Sequence, residues 1–109
     1  MANEYIAIKD EKDEMGIVAI TRQVFESIAG LSVSEESIFE LPESTPFYHP
    51  VSCKVNHKEF SVSLDVKIRF GSNVVSECSK LQEKIHSAIA QMTDLNCRNI
   101  DIRVIGFLF

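Results

Sequence analysis

One alternating stretch, residues 60–70, most constrains the fold of this chain. Its even-numbered positions are apolar, from Phe60 to Phe70, whereas its odd positions from Ser61 to Arg69 are polar or charged. A period of two sends successive side chains to opposite faces, so the pattern predicts a β-strand with one face in a core and the other in water. The chain must therefore supply a second apolar layer to cover that one face.

A helix predicted directly after this strand supplies the second layer. Residues 74–92 carry apolar side chains at steps of three and four, which form one stripe along a helix. The stripe consists of Val74, Cys78, Leu81, Ile85, Ala88, Ile89 and Met92. Either Ser72 or Asn73 suits the cap position, because an oxygen there accepts hydrogen bonds from the first free amides.

Shorter patterns predict the other elements of a small domain. They are a strand at residues 17–20, a helix at 21–36 capped by Thr21, a hairpin of 51–55 with 60–70, an edge strand at 38–41 and a last strand at 98–109. Gly30 marks either an early end of the first helix or a close packing contact. We expect an α/β (α+β) two-layer sandwich in the order β-α-β-β-α-β, a small mixed sheet with two helices packed on one face.

The length of 109 residues fits one domain. Residues 1–15 are polar and charged and are interpreted as an N-terminal arm, which leaves residues 16–109 as the domain. No apolar run approaches the roughly 20 residues that a bilayer span needs, and the first residues do not follow the secretory pattern. We expect a cytoplasmic protein without direct membrane insertion.

The charge balance argues against a nucleic-acid partner. The net charge is −5, and residues 1–53 hold ten of the 16 acidic residues but three of the 11 basic ones. Phosphate-led binding needs clustered Lys and Arg. The three cysteines are odd in number and lack CxxC spacing, which favours reduced thiols over disulfides or a zinc site.

No pattern of catalytic residues stands out. Cys53 and His57 are four apart, but they flank the predicted hairpin, where this spacing does not bring two ligands together. His86 falls on the polar side of the second helix. The Gly-Ser-Asn turn at 71–73 lacks the second Gly or the Lys of a phosphate cradle. We therefore predict no catalytic residue, metal site or cofactor.

The polar side of the predicted sheet is the better candidate for function. Its residues, together with the apolar end of the chain, are Ser61, Ser63, Asp65, Lys67, Arg69, Asp101, Arg103, Phe107 and Phe109. An ordinary solvated face is the simpler explanation of the charged residues, since antiparallel sheets often leave one side in water. The alternative is a surface for docking or self-association, to which the apolar end would add contact area.

The ordered series of these segments resembles the alkaline shock protein family, whose members include YloU-like proteins. The matching pieces are residues 16–20, 24–30, 62–71, Asn73, 82–85, 92–93 and 99–106. The chain departs from the family at Ser37 and Asp94, where glycine is usual, and in the Pro-rich loop at 41–50. Any function that the family places in this loop is therefore in doubt for this chain.

The resemblance implies a non-catalytic scaffold or protein-interaction domain linked to envelope stress and alkaline tolerance in bacteria. The partner it implies is another protein, including a membrane-anchored relative that would bring the chain to the membrane, or a second copy. A nucleic-acid-binding α/β domain is the alternative, because an open sheet can present a face to bases. An enzyme of unknown class is the weakest hypothesis.

Overall fold

The computed structural model describes residues 11–56, 59–93 and 97–109. In chain order the elements are α1 (Glu11–Ser34), β1 (Phe39–Glu40), β2 (Val51–Asn56), β3 (Glu59–Arg69), α2 (Val74–Thr93) and β4 (Cys97–Leu108). Residues 1–10 of the predicted arm, the predicted hairpin turn with His57 and the residues at 94–96 lie outside the described residues. The predicted boundary between the N-terminal arm and the domain, at residues 15 and 16, falls inside α1.

β3 is the central strand of a four-stranded sheet. On one side it pairs antiparallel with β2 along its first half and with β1 near its end, where Phe39 lies opposite Ile68. On the other side it pairs with β4 in parallel along nearly its whole length. The sheet is therefore mixed, as predicted, and β4 forms one of its edges.

Both helices contribute to a single core on one face of this sheet. Its residues from α1, β3 and α2 are Phe25, Ile28, Ala29, Val33, Val62, Leu64, Val66, Ile68, Leu81, Ile85 and Ile89. The alternating strand and the helix stripe thus cover each other as their periods predict. Lys84 of α2 also joins the helix layer to the end of α1, since its Nζ lies 2.7 Å from Oε2 of Glu36. The two-layer α+β class is confirmed.

The predicted first strand at residues 17–20 is wrong, because these residues lie inside α1. Between Phe25 and Val33 the buried positions recur at helical spacing, and the helix continues upstream from that core-facing part. Thr21 does not cap it but donates a hydrogen bond from Oγ1 to the Ile17 carbonyl oxygen, 2.9 Å away. A run of β-branched residues favours a strand only weakly, and the helix that continues through these residues overrides that preference. The element order is therefore α-β-β-β-α-β.

The ends of the two long elements also differ from the prediction. α1 passes through Gly30 and ends at Ser34, two residues early. Phe70 lies just beyond β3 and is 63% exposed, and Met92 in the last turn of α2 is 64% exposed. Phe70 lies beyond the part of the sheet that the helices cover, and Met92 lies beyond the part of α2 that the sheet covers. The apolar patterns therefore extend further than the core that they specify.

The turn from β3 into α2 uses glycine and asparagine in different ways. Gly71 has a φ of 92°, a left-handed conformation that side chains disfavour. Asn73 caps α2, because its Oδ1 accepts a hydrogen bond from the Ser76 amide at 3.1 Å. Its carbonyl oxygen accepts the Glu77 amide at 2.9 Å. Asn73 rather than Ser72 therefore fills the predicted cap position.

β4 contains two irregularities that decide where its side chains point. The pairing with β3 shifts between Phe60 and Ser61 and again between Val66 and Lys67, which leaves Arg98 and Ile105 as extra residues of β4. Beyond Ile105 the alternation is reversed.

Candidate interaction surface

We call the sheet side turned away from the helices the polar sheet face. On β3 it consists of Ser61, Ser63, Asp65, Lys67 and Arg69, and on β4 of Asp101 and Arg103. Each β4 residue lies beside a β3 partner, with Asp101 opposite Ser63 and Arg103 opposite Asp65. The structure thus brings the predicted charged residues of two distant segments onto one surface.

Asp65 is the centre of a hydrogen-bonded cluster on this face. Arg103 donates to it from two nitrogens, with Nε 3.0 Å from Oδ1 and Nη2 3.1 Å from Oδ2. The Tyr48 hydroxyl donates to Oδ2 at 2.6 Å. The Asp65 side chain is 15% exposed, whereas that of Arg103 is 74% exposed. A fixed carboxylate therefore holds a cation that still faces solvent.

This cluster shifts the protonation of its members. The Arg103 hydrogen bond, followed by that of Tyr48, lowers the pKa of the Asp65 carboxyl. The hydrogen bond to Asp65 raises the pKa of the Tyr48 phenol, because deprotonation of the phenol would break this bond and place a second negative charge beside the carboxylate. The same carboxylate raises the pKa of Arg103. At neutral pH the cluster is a carboxylate, a guanidinium and a neutral phenol.

A shallow depression of about 300 Å³ lies next to the cluster. Its lining includes His49, Ser52, Ser63, Asp65, Asp101 and Arg103. Asp101 is exposed and has no ion pair or side-chain hydrogen bond among the described residues. The depression therefore places an unpaired carboxylate and the exposed side of Arg103 next to each other.

The remaining charged candidates of the polar sheet face lie further along β3. Lys67 is opposite Glu40 on one side and Gly106 on the other. Arg69 donates from Nη2 to the Ser37 carbonyl oxygen at 3.4 Å, at the end of the strand. These cations extend the charged face away from Asp65.

The apolar candidates at the end of the chain do not lie on the polar sheet face. Because β4 is reversed beyond Ile105, Phe107 lies opposite Ile68, in the row that faces the helices. Phe107 and Phe109 instead meet Phe70, with ring centroids 5.8 and 5.2 Å away. Together they form an exposed aromatic cluster at the end of the sheet, which no period-two pattern indicates because the bulge breaks the period.

Other chemistry in the described part of the chain is limited. Burial raises the pKa of the Cys53 thiol to about 11, and burial also raises the pKa values of Cys78 and Cys97. The thiolate is the reactive form, so these cysteines are weak nucleophiles at neutral pH. Within residues 16–55, 59–93 and 97–109, no three His, Cys, Asp or Glu side chains are grouped to hold a metal ion.

α1 carries an exposed apolar surface in addition to its core-facing side. Ile20, Val24 and Leu31 share one side of the helix and are exposed. The expectation that no apolar segment approaches the length of a bilayer span is wrong, because Gly16–Ser34 is long and apolar enough to cross a membrane by length and composition alone. Core helices of soluble proteins have the same properties. In this structure 28% of that window is buried.

Comparison with known proteins identifies the family. Residues 10–109 match the alkaline shock protein 23 family, which is described as having a cell envelope-related function. The chain belongs to this family. It is also 25% identical over 119 residues to the uncharacterized protein YqhY of Bacillus subtilis (strain 168), an alignment that covers 98% of this chain and 88% of that protein. No solved structure matches the chain.

Membership of the alkaline shock protein 23 family confirms the resemblance seen in the sequence. The matching residues 62–71 are β3 and the turn after it, residues 82–85 lie in α2, and residues 99–106 lie in β4. The loop at 41–50, which resembles the family least, contributes Tyr48 to the Asp65 cluster. Tyr48 was missed because nothing in a Pro-rich loop indicates which side chain folds back onto the sheet. The Asp65 cluster therefore joins the two strands of the polar sheet face to the Pro-rich loop.

Proposed function

We propose that this chain is a non-catalytic interaction domain with a cell envelope-related role, and that its polar sheet face binds a protein partner. The observation that carries the proposal is the Asp65 cluster. Arg103 is held in place by two hydrogen bonds and remains largely exposed, next to the unpaired Asp101. Charges that are fixed before binding cost less ordering when a partner with matching charges docks.

The partner that fits this face is a protein with its own mixed charges. The face presents a cation at Lys67 of β3 and another at Arg103 of β4, together with the carboxylate of Asp101 on β4. A surface of one sign would select a polyanion or polycation, whereas a mixed surface selects a complementary protein surface and sets its register. A membrane-anchored relative of the family is the partner we propose, and it would bring this cytoplasmic chain to the membrane.

The placement of α1 supports recruitment by a partner over insertion of the chain itself. Phe25, Ala29 and Val33 of α1 are fully buried in the core, so moving this helix into a bilayer would open the core. No observation favours the nucleic-acid alternative. The net charge of −5 opposes it, and the cations of the polar sheet face share that face with the carboxylates of Asp65 and Asp101.

The test compares protein capture by the wild-type chain and by face variants in the cells from which the chain comes. The test variant combines Ser63→Arg, which fills the depression, with Lys67→Glu, which reverses a charge on the same strand. The control is Lys80→Glu, which repeats the Lys→Glu replacement on α2, where the Lys80 side chain is 70% exposed.

The proposal predicts that one partner is recovered with the wild-type and Lys80→Glu chains, and that about tenfold less of it is recovered with the face variant. Thermal unfolding of each variant checks that it folds. Equal recovery with the face variant would show that this surface does not bind the partner. Copurification of a metabolite or a metal in stoichiometric amount would contradict the non-catalytic assignment.

A further inference from the structure

The two edges of the sheet differ in how far other elements cover their backbone groups. At the β2 edge, both backbone groups of Cys53 are used by α1. Glu26 accepts the Cys53 amide at 2.8 Å, and Arg22 donates from Nε to the Cys53 carbonyl oxygen at 2.8 Å. In the described part of the chain no strand or loop covers the β4 edge, although β4 is the longest strand with 12 residues. An open edge of this length is a template for another strand.

The backbone groups that face outward along β4 follow from its pairing. In a parallel pair, alternate residues turn both their amide and their carbonyl toward the neighbouring strand. Ile100 lies opposite Val62 and therefore turns outward, which agrees with the hydrogen bond that Gln82 Nε2 donates to its carbonyl oxygen at 2.7 Å. Ile102 and Val104 turn outward in the same way. Within the described residues, no hydrogen bond reaches the outward groups of these two residues.

We propose that a second copy of this chain pairs antiparallel with β4, with the two-fold axis at Ile102. The two four-stranded sheets then join into one continuous sheet. This dimer uses the backbone edge of the sheet, whereas the proposed function uses its polar face, and the two proposals share the side chains of Asp101 and Arg103.

The charges along β4 select this register. With the axis at Ile102, Asp101 of each copy lies opposite Arg103 of the second copy, so two attractive cross-strand pairs form. An axis at Asp101 sets two aspartates opposite each other, and an axis at Arg103 sets two arginines opposite each other. Like charges in directly opposed positions destabilise a strand pair, and opposite charges stabilise it. Neighbouring registers are therefore disfavoured on both sides.

Both charged side chains are available for these pairs. Asp101 is exposed and is unpaired within the described residues. Arg103 uses Nε and Nη2 for Asp65, which leaves Nη1 to donate to a carboxylate of the second copy. Asp65 therefore holds Arg103 in place for the contact.

The backbone and the other face of the edge are also self-complementary. With this axis, Ile102 pairs with Ile102 of the second copy and Ile100 pairs with Val104 of the second copy. About four backbone hydrogen bonds form without using the Ile100 carbonyl oxygens, which already accept from Gln82. The half-buried Ile102 and Val104 side chains meet apolar partners on the helix side. A groove of about 460 Å³ between α2 and this edge, lined by Gln82 and His86 among others, leaves room beside the added strand.

A charge-reversal experiment on the full chain tests the dimer. The variants are Asp101→Lys and Arg103→Glu, studied alone and mixed, with sedimentation equilibrium as the readout. In each variant alone, both cross-strand pairs carry like charges, so we expect self-association to weaken about tenfold or more. In the mixture, a heterodimer has two attractive pairs again, and we expect association to be restored. A wild-type chain that sediments as a monomer, or a mixture that stays monomeric, would overturn the proposal.

Two further variants separate loss of the dimer from loss of the fold and from the proposed function. Ile102→Pro removes an outward amide that the monomer does not use, so we expect a folded monomer by circular dichroism. Lys67→Glu alone changes the polar sheet face opposite Gly106 and leaves Asp101 and Arg103 in place, so we expect a dimer of wild-type strength. If Ile102→Pro still dimerised, β4 would not be the contact, whatever the result of partner capture.

Discussion

Asp65 of β3 and Arg103 of β4 are joined by two hydrogen bonds, of 3.0 and 3.1 Å, across a parallel strand pair. Their segments are far apart in the sequence, so this contact links the hairpin to the last strand. We expect Asp65→Asn to lower the free energy of unfolding by about 1–2 kcal/mol, because it removes charge-assisted bonds from a partly buried group. Urea denaturation at one protein concentration measures this. Glu43→Gln, an exposed change of the same chemistry, should have no effect, and equal stabilities of all three proteins would contradict the prediction.

The contribution of Asp65 should depend on pH in the acid range. The pKa of its carboxyl is lower in the folded chain than the ordinary value of 3.8, so the contribution is complete above 3.8 and is lost as the pH falls through the lower folded pKa. The stability difference between wild type and Asp65→Asn should be constant from neutral pH to about pH 5 and narrow below 3.8. A difference that persists unchanged at about pH 2 would show that folding does not lower the pKa of the Asp65 carboxyl.

Tyr48 should titrate abnormally at the alkaline end. Its pKa is raised above 10.0 by the hydrogen bond to Asp65, so this bond stabilises the fold below pH 10.0 and is lost as the pH rises through the folded pKa. Ultraviolet absorbance of the phenolate should show a step above 10.0 that is absent from Tyr48→Phe. In Asp65→Asn the step should move back toward 10.0. Two tyrosines that titrate together near 10.0 in the wild type would contradict the cluster.

Most of the core could be predicted from the sequence because its periods are long and unbroken. Eleven residues of β3 alternate without interruption, and α2 presents Leu81, Ile85 and Ile89 at helical spacing. The prediction of a strand at residues 17–20 was wrong because four residues are too few to distinguish a strand from a turn of helix. Their β-branched composition favoured the strand, whereas the helix that continues through Thr21 to Val33 decided the outcome.

Gly16→Ala distinguishes the helix from the strand that the sequence indicated. Gly16 lies within α1, and a Cβ atom built on it meets nothing within 4 Å. Alanine should therefore raise the free energy of unfolding by about 1 kcal/mol, because it favours helix and restricts the unfolded chain. Gly71→Ala is the matched control of opposite sign, since Gly71 has a φ of 92°. A loss of stability in Gly16→Ala would contradict the helix at this position.

The candidate surface was predictable only in part, for reasons of geometry. Alternation placed Asp65 and Arg103 on one face, because neither strand is irregular between residues 61 and 66 of β3. Phe107 could not be placed, because the bulge at Ile105 is set by pairing with β3 and reverses everything after it. The open edge of β4 could not be predicted either, since the strand order depends on contacts between distant segments.

Glu26 should protect the β2 edge, and its variants separate the hydrogen bond from the charge. Glu26→Ala leaves the amide of the buried Cys53 without its partner at 2.8 Å, so we expect a loss of about 1–3 kcal/mol in the free energy of unfolding. Glu26→Gln keeps an acceptor oxygen and should lose less than half as much. Urea denaturation measures both, and light scattering should show aggregation in Glu26→Ala, because an uncovered edge pairs with other chains. Equal losses in the two variants would mean that charge, not the hydrogen bond to Cys53, is what α1 provides at this edge.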